Sequence, residues 1–277
     1  MKRIIYLFLS ICFVSLYGCS IRQSDYYGRV LFDDGLGKCK AYYAINEREA
    51  KDIDCYKIER AKDGEIIKIS FLSKSMPAID NNWFECSVVS IEVKPGIRII
   101  RNYDVNNMPM KDHQGIYCYK LWLDIKGAPI AMRNYDEKGR PMKDKYNVAS
   151  YRYETDSKGR AIRVRQYNHK GQQIVNADGR YEIAYEYDNN GNANKLSNYG
   201  SDGKLMLDNY NSASIVSRNN QIGAPEEARF LGLDGNLTVR TDRLTKGASM
   251  IKGVYDKYSY PVGVTRYDIN GNVLKGE

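Results

Sequence analysis

The chain has 277 residues, a formal net charge of +8, and 24 tyrosines against six phenylalanines and two tryptophans. That length allows one or two domains or a single extended repeat array. Tyrosine has a ring to bury and a hydroxyl that must stay wet or bonded, and it favours strands, so the composition suits many half-exposed β positions better than a thick dry core.

The chain starts MKRIIYLFLSICFVSLYGCS, with Lys2 and Arg3 ahead of an apolar run from Ile4 to Val14. A charged start, a short apolar core and a small residue before the cut describe a secretory signal over residues 1–18. The run falls short of the ~20 residues that span a bilayer as a helix. Leu16-Tyr17-Gly18-Cys19 resembles the lipobox of bacterial lipoproteins. The resemblance implies a diacylglyceryl group on Cys19, cleavage before it, and acylation of the new amino terminus with a palmitate-type chain. Three acyl chains exceed the two signals needed for stable anchoring. Ser20 resembles an outer-membrane sorting residue, so the implied place is the bacterial cell envelope, at the outer membrane, with the membrane as partner through the lipid.

Residues 19–52 read as a tether with room for an N-terminal cap, and a short helix fits within residues 44–61. Residues 53–277 read as a β-repeat domain. RNYDVNNMPMKD (101–112) and RNYDEKGRPMKD (133–144) share eight of twelve positions at an offset of 32. Phe71, Tyr103, Tyr135, Tyr167, Tyr199 and Leu231 keep that step, and Tyr267 follows after 36. Gly139, Gly171, Gly203 and Gly235 form a second column, with Gly271 again 36 later, and Gly127, Gly159, Gly191 and Gly223 a third. A loop insertion within residues 241–248 accounts for the extra four.

Each unit has strand character, as in ASYRYETD (149–156), SKGR and AIRVRQYN. Asp-Asn-Asn-Gly (188–191) and Asp-Ile-Asn-Gly (268–271) are hairpin signals, because Gly and Asn accept the positive φ of tight β turns. No other window after the signal keeps a 3.6-residue apolar period. The expected fold is mainly β, an elongated antiparallel β-meander or β-solenoid built from 32-residue repeats after an N-terminal signal helix. Alternation puts Ile130, Met132, Ile162, Val164, Leu196, Val262 and Val264 on an apolar side. It puts Arg133, Tyr135, Arg165, Tyr167, Ser197 and Tyr199 on the other.

Tyr135-Asp136-Glu137-Lys138-Gly139, Tyr187-Asp188-Asn189-Asn190-Gly191 and Tyr267-Asp268-Ile269-Asn270-Gly271 resemble bacterial YD-type repeats, as in Rhs proteins. They are also similar to variant MORN-type β-hairpin repeats of bacterial surface proteins. Either resemblance implies hairpin architecture and no functional residue.

Outside the signal and Cys19, Cys39, Cys55, Cys86 and Cys118 permit two disulfides in three connectivities. Cys86 and Cys118 stand 32 apart. A bond between them would favour a β-helix with one unit per rung, and free thiols a meander, in which equivalent residues lie two strands apart, beyond the ~7 Å reach of a disulfide.

His113 and His169 fall in turns with no partners spaced for a triad or zinc site. No phosphate-cradling glycine motif follows a strand and opens a helix. The Asp-x-Asn-Gly-Asn turns lack a complete EF-hand loop and read as hairpin turns without metal. Glu226 and Glu227 are adjacent in a strand and point to opposite faces, which does not suit a glycosidase pair. No catalytic residue or cofactor is expected. The patterned candidate is the binding face of Arg133, Tyr135, Arg165, Tyr167 and Tyr199, with Arg101, Arg229 and Tyr103 alongside. Cations interleaved with rings suit nucleic-acid bases, but an exported lipoprotein points to a protein or an anionic envelope polymer, not nucleic acid. The competing account pairs these arginines with acids such as Glu154 and Glu186 across strands. The expected function is a membrane-anchored, non-enzymatic β-repeat lipoprotein presenting a binding surface. The alternative is an envelope enzyme or toxin-associated protein whose site comes from residues 21–60 and 241–260.

Overall fold

The computed structural model describes residues 25–33, 38–80 and 84–274. The expected signal segment 1–18 and the lipid site Cys19 lie outside the described residues. The fold opens with β1 (Tyr26–Asp33) and β2 (Lys38–Ile45), then the single turn α1 (Glu47–Ala50). The Asn46 side chain caps α1 by accepting the Glu49 N–H at 2.8 Å, the role for which a short polar residue is selected there. The chain continues through β3 (Asp54–Arg60), β4 (Ile66–Ser73), β5 (Met76–Pro77), β6 (Val88–Lys94) and β7 (Ile97–Tyr103). Five hairpins follow: β8 and β9 (Cys118–Leu123, Pro129–Tyr135), β10 and β11 (Ser150–Thr155, Ala161–Tyr167), β12 and β13 (Glu182–Tyr187, Ala193–Tyr199), β14 and β15 (Ser214–Asn219, Pro225–Leu231), and β16 and β17 (Met250–Tyr255, Pro261–Tyr267).

These strands form one 17-stranded antiparallel sheet. Each hairpin pairs within itself, and its first strand pairs with the last strand of the hairpin before it. Ser150 lies opposite Arg133, Glu182 opposite Arg165, Ser214 opposite Ser197 and Met250 opposite Arg229. This is meander connectivity. The start departs from it, because β1 sits between β2 and β3. Among the described residues no backbone pairing joins β17 to β1 or β2, so the sheet is not closed. It does bend until the β16–β17 tip meets the first strands: Tyr260 Oη donates to Asp80 at 3.0 Å, Tyr258 Oη to Glu49, and Tyr43 Oη lies 2.8 Å from Ser259 Oγ. Gly28 leaves the space this needs, since a Cβ there would stand 2.7 Å from the Tyr258 ring.

One turn device recurs. In Asp124–Ala128 the Asp Oδ1 accepts the N–H groups of Lys126 and Ala128, both at 2.8 Å, and the Gly127 N–H returns to Asp124 O. Asp136, Asp144, Asp156, Asp188, Asn220 and Asp268 do the same. Asp and Asn suit the first position because their short side chains bond the backbone two residues on. The fourth residue carries the positive φ, usually as Gly and as Asn at 107, 147 and 211. These are five-residue loops that end in a register shift, as between Trp122 and Leu123. The expected tight two-residue turn occurs at Pro95-Gly96, where Lys94 lies opposite Ile97, and at Lys74-Ser75, both at positive φ, where Ser73 lies opposite Met76. A turn of this kind also links successive hairpins and stacks on its predecessor, with Lys145 N donating to Gln114 O and Ala177 N to Tyr146 O. The linking turn that closes from Asp208 to Ser212 closes instead from Arg240 to Ala248.

The expected apolar side needs correcting. Asn134, Gln166 and Asn198 share it with Met132, Val164 and Leu196, and all three amides are at most 1% exposed. Asn134 Nδ2 donates to Val148 O and Asn198 Nδ2 to Ser212 O, which ties each strand to its linking turn. Ile130 and Val262, at strand starts, are exposed. The main apolar core lies instead under β1 to β7, around Val30, Tyr56, Ile69, Phe71, Phe84 and Val89. A smaller cluster holds Ala161, Val164 and Ile183 with Tyr151, Tyr153 and Tyr185.

Cys39, Cys55, Cys86 and Cys118 are all free thiols. The expected equivalence of Cys86 and Cys118 also fails in register. Cys118 lies opposite Tyr135, but the residue opposite Tyr103 is Val88, because the Pro95-Gly96 turn shortens that hairpin.

Candidate functional site

The outer face carries the expected Arg and Tyr columns, and register decides what each residue meets. Lys120 lies opposite Arg133, and Arg152 opposite Arg165. Each cation two residues beyond a tyrosine's partner reaches back over the ring. Lys120 Nζ sits 4.5 Å from the Tyr135 centroid, the Arg152 guanidinium 4.7 Å from Tyr167, and Lys252 Nζ 5.1 Å from Tyr267, while Arg163, from a strand further over, lies 5.4 Å from Tyr199. Such contacts contribute ~0.5–1 kcal/mol at exposed positions. Tyr135 is 8% exposed, so its ring serves as a floor beneath Lys120 more than as a free stacking platform. Tyr167 and Tyr199 are half-buried.

Arg165 has acids. Its Nε donates to Glu182 at 2.6 Å and its terminal nitrogen to Glu154 at 3.2 Å, while Arg163 also bonds Glu182. Glu186 takes Lys195 at 2.8 Å. Arg101 pairs with Glu92, which two cations hold below the usual carboxylate range. Arg229 pairs with Glu227. Pairing across strands, and for Arg229 within β15, therefore accounts for those cations. Among the described residues no carboxylate lies within ion-pair distance of Lys120, Arg133 or Arg152. Arg133 and Arg152 are exposed. Like charges directly opposite one another destabilise a sheet, so this cluster is an uncompensated positive patch.

The two irregular segments named as an alternative site meet each other. Residues 25–60 supply β1, β2, α1 and β3, and residues 241–260 supply the long linking turn, β16 and the tip that docks on them. Lys257 pairs with Glu49 and the Tyr258 hydroxyl donates to it across the two, while within the long turn Asp242 accepts from Arg240 and from the Thr245 N–H. In the Asp188 turn, Oδ1 is taken by the N–H groups of Asn190 and Asn192, both at 2.9 Å. His113 lies in a linking turn, where burial lowers its pKa and its Nε2 meets Gln114 at 3.0 Å.

Parity alone missed the inner face. Its polar groups surround a cavity of about 830 Å³. Tyr119 and Tyr151 donate to Asp112 and Asp144, which open successive linking turns. Burial raises the pKa of both carboxyls and of both phenols. The same place holds Asn176 in the next turn, beside Ile183, which has no hydroxyl to offer. In the turn after that, Asp208 accepts from Arg180 and Arg240, both at 2.9 Å. The signal was in the repeated dozen itself: its Asn, at 102 and 134, falls on the Met132 side.

No protein-family profile and no curated protein sequence matches the chain. Among solved structures it is similar to a porin-like protein from Bacteroides uniformis, at 10% identity and a TM-score of 0.30, over 63% of this chain and 80% of that one. It is also similar to the pore form of a Photorhabdus luminescens Tc holotoxin, at 11% identity and a TM-score of 0.27, over 80% of this chain and 12% of that one. A TcdB2–TccC3 complex gives 12% identity and a TM-score of 0.26, again over 12% of its chain.

Proposed function

We propose that the chain is an array of 32-residue β units whose outer face binds an anionic polymer of the bacterial envelope, as a non-enzymatic lipoprotein held at the outer membrane through Cys19. The supporting observation is the patch of Lys120, Arg133 and Arg152, three cations drawn together by register and left without acids. A sheet tolerates such a patch at a cost in stability, and a polyanion offsets that cost on binding. Complementary charge also speeds encounter, so binding falls as salt screens the patch, with a Debye length of about 10 Å at 0.1 M.

The test is retention of purified protein on immobilised dextran sulfate, with salt elution as the readout. Arg133→Ala and Arg152→Ala together lower the eluting salt concentration, while Arg229→Ala, whose cation is already paired, leaves it unchanged. Equal elution of all three proteins refutes the role of the patch. Metabolic labelling with palmitate tests the anchor, and a wild type as unlabelled as Cys19→Ala refutes it.

A further inference from the structure

The outer face leaves the cavity unexplained. Its volume, about 830 Å³, lies within the ~300–1,000 Å³ of small-molecule sites. Tyr119 on β8, Tyr151 and Tyr153 on β10, and Tyr185 and Tyr187 on β12 line it, since every second residue of these strands points inward. Tyrosine offers a flat apolar face and a hydroxyl on one side chain.

The charges on the lining are already matched. Asp112 and Asp144 each give Oδ1 to two backbone N–H groups of their turns and Oδ2 to a tyrosine hydroxyl. Arg180 gives a terminal nitrogen to Asp208 and keeps only Nε without a partner, and Asp178 accepts the Tyr210 hydroxyl at 3.0 Å. Glu85 and Lys145 are exposed. An anionic ligand would meet one guanidinium already shared with Asp208 and the carboxyls of Asp112, Asp144 and Asp178 around it.

Neutral polar atoms are left over. Gln166, 1% exposed and on the cavity wall, has no partner for Nε2. The shorter Asn at the equivalent place reaches the linking turn in Asn134 and Asn198; the extra methylene of Gln166 replaces that bond with a free donor. His113 Nδ1 and Gln114 Oε1, also on the wall, lack partners too. An unmet buried polar group costs ~1–3 kcal/mol, which a ligand rich in both donors and acceptors would recover.

We propose that this cavity binds a short, uncharged saccharide, its C–H faces against the tyrosine rings and its hydroxyls on Gln166, His113 and Gln114. A fatty acid would leave Gln166, His113 and Gln114 unmet, and an anionic sugar would face three acids with the one guanidinium already shared with Asp208.

The experiment uses the purified chain with maltotriose, N,N′-diacetylchitobiose, glucuronic acid and palmitate as separate probes, read by calorimetry and by tyrosine fluorescence. A neutral sugar binds and perturbs the fluorescence, Gln166→Ala weakens it about tenfold, the worth of one hydrogen bond, and Arg133→Ala on the outer face has no effect. Tyr153→Phe, which keeps the ring and the fold, retains binding. Binding unchanged in Gln166→Ala, preference for glucuronic acid or palmitate, or no heat and no fluorescence change with any neutral sugar overturns the proposal. Because the outer patch is read by salt elution, failure here leaves the polymer-binding proposal separately testable.

Discussion

Replacing Asp208 with alanine removes a linking-turn carboxylate that two arginines share. Its side chain is fully buried, Oδ2 accepts from Arg180 and Arg240 at 2.9 Å each, and Oδ1 accepts the N–H groups of Tyr210 and Ser212 at 3.1 and 3.0 Å. The two guanidiniums it would strand are only 14% and 6% exposed. Removing one partner from a buried ion pair costs ~3–5 kcal/mol. Arg240 retains Asp242 and the faces of Tyr210 and Phe230, and Arg180 retains Asp178 at 3.9 Å. These leftovers place the loss near the lower bound, about 3 kcal/mol, with about 1 kcal/mol more for the two turn bonds. The sum is a large share of the ~5–15 kcal/mol by which domains are stable. Urea unfolding followed by circular dichroism measures the whole, and hydrogen exchange of residues 205–215 and 240–248 localises it. Burial pushes the Asp208 carboxyl up, but the hydrogen bonds from Arg240 and Arg180 outweigh this and hold it below the usual range. A depressed acid contributes stability that is present above its unfolded value of about 3.9 and lost as pH falls through the folded one. Asp208→Asn therefore flattens the acid limb of stability against pH. A loss under about 1 kcal/mol in Asp208→Ala, below the bound for a buried pair, refutes the reasoning.

Asp144 has the opposite sign. Burial raises its folded pKa, so its contribution is full below the unfolded value and declines as pH rises through the folded one; melting of Asp144→Asn from pH 4 to 8 shows a gap over wild type that moves in the variant's favour as pH rises. Gly179→Ala forces a φ of +83° on a residue with a Cβ and places that Cβ 2.9 Å from Asn209 N, where the turns stack. A loss above about 1 kcal/mol in urea unfolding is expected. A non-reduced digest returns Cys39, Cys55, Cys86 and Cys118 as free thiols, and in the native protein a thiol reagent at pH 8 spares Cys55, whose pKa burial pushes up to about 11.

Strands, turns and their order were legible because they depend on local rules. Period-two alternation marks strands, and an Asp or Asn three residues ahead of a positive-φ position marks each turn. Two things escaped. Parity assigns Asn134 a side but not a fate: a buried amide on an otherwise apolar side is permitted only because Val148 O, 14 residues on, waits for it. Register also escaped, since the two residues missing at Pro95-Gly96 move Cys86 out of line with Cys118, and no composition column records where a hairpin was trimmed. The outer candidates were half legible. The columns named Arg133 and Arg165 alike, yet cross-strand neighbours, Glu182 for one and Lys120 for the other, make one a paired ion and the other an open charge.

Departures from the recurring pattern carry the chemistry. Where a linking turn opens with Asp and a tyrosine lies seven residues on, as at Asp112 and Tyr119 or Asp144 and Tyr151, the two groups satisfy each other. Where the tyrosine becomes Ile183 the acid becomes Asn176, and where it becomes Ile215 the acid stays as Asp208 but takes arginines from the turns on either side. Each substitution is thus answered within the column, as burial of polar groups requires. Gln166 is not answered. Its neighbours Asn134 and Asn198 bond the linking turn, and it does not, although it is as deeply buried as they are. On the outer face Lys120, Arg133 and Arg152 are likewise unanswered, while Arg101, Arg165 and Arg229 have acids. Both departures lie where a partner from outside could supply what the column does not, and they lie on opposite faces of one sheet, a cationic patch on the outer one and a tyrosine-lined, half-open cavity on the inner one.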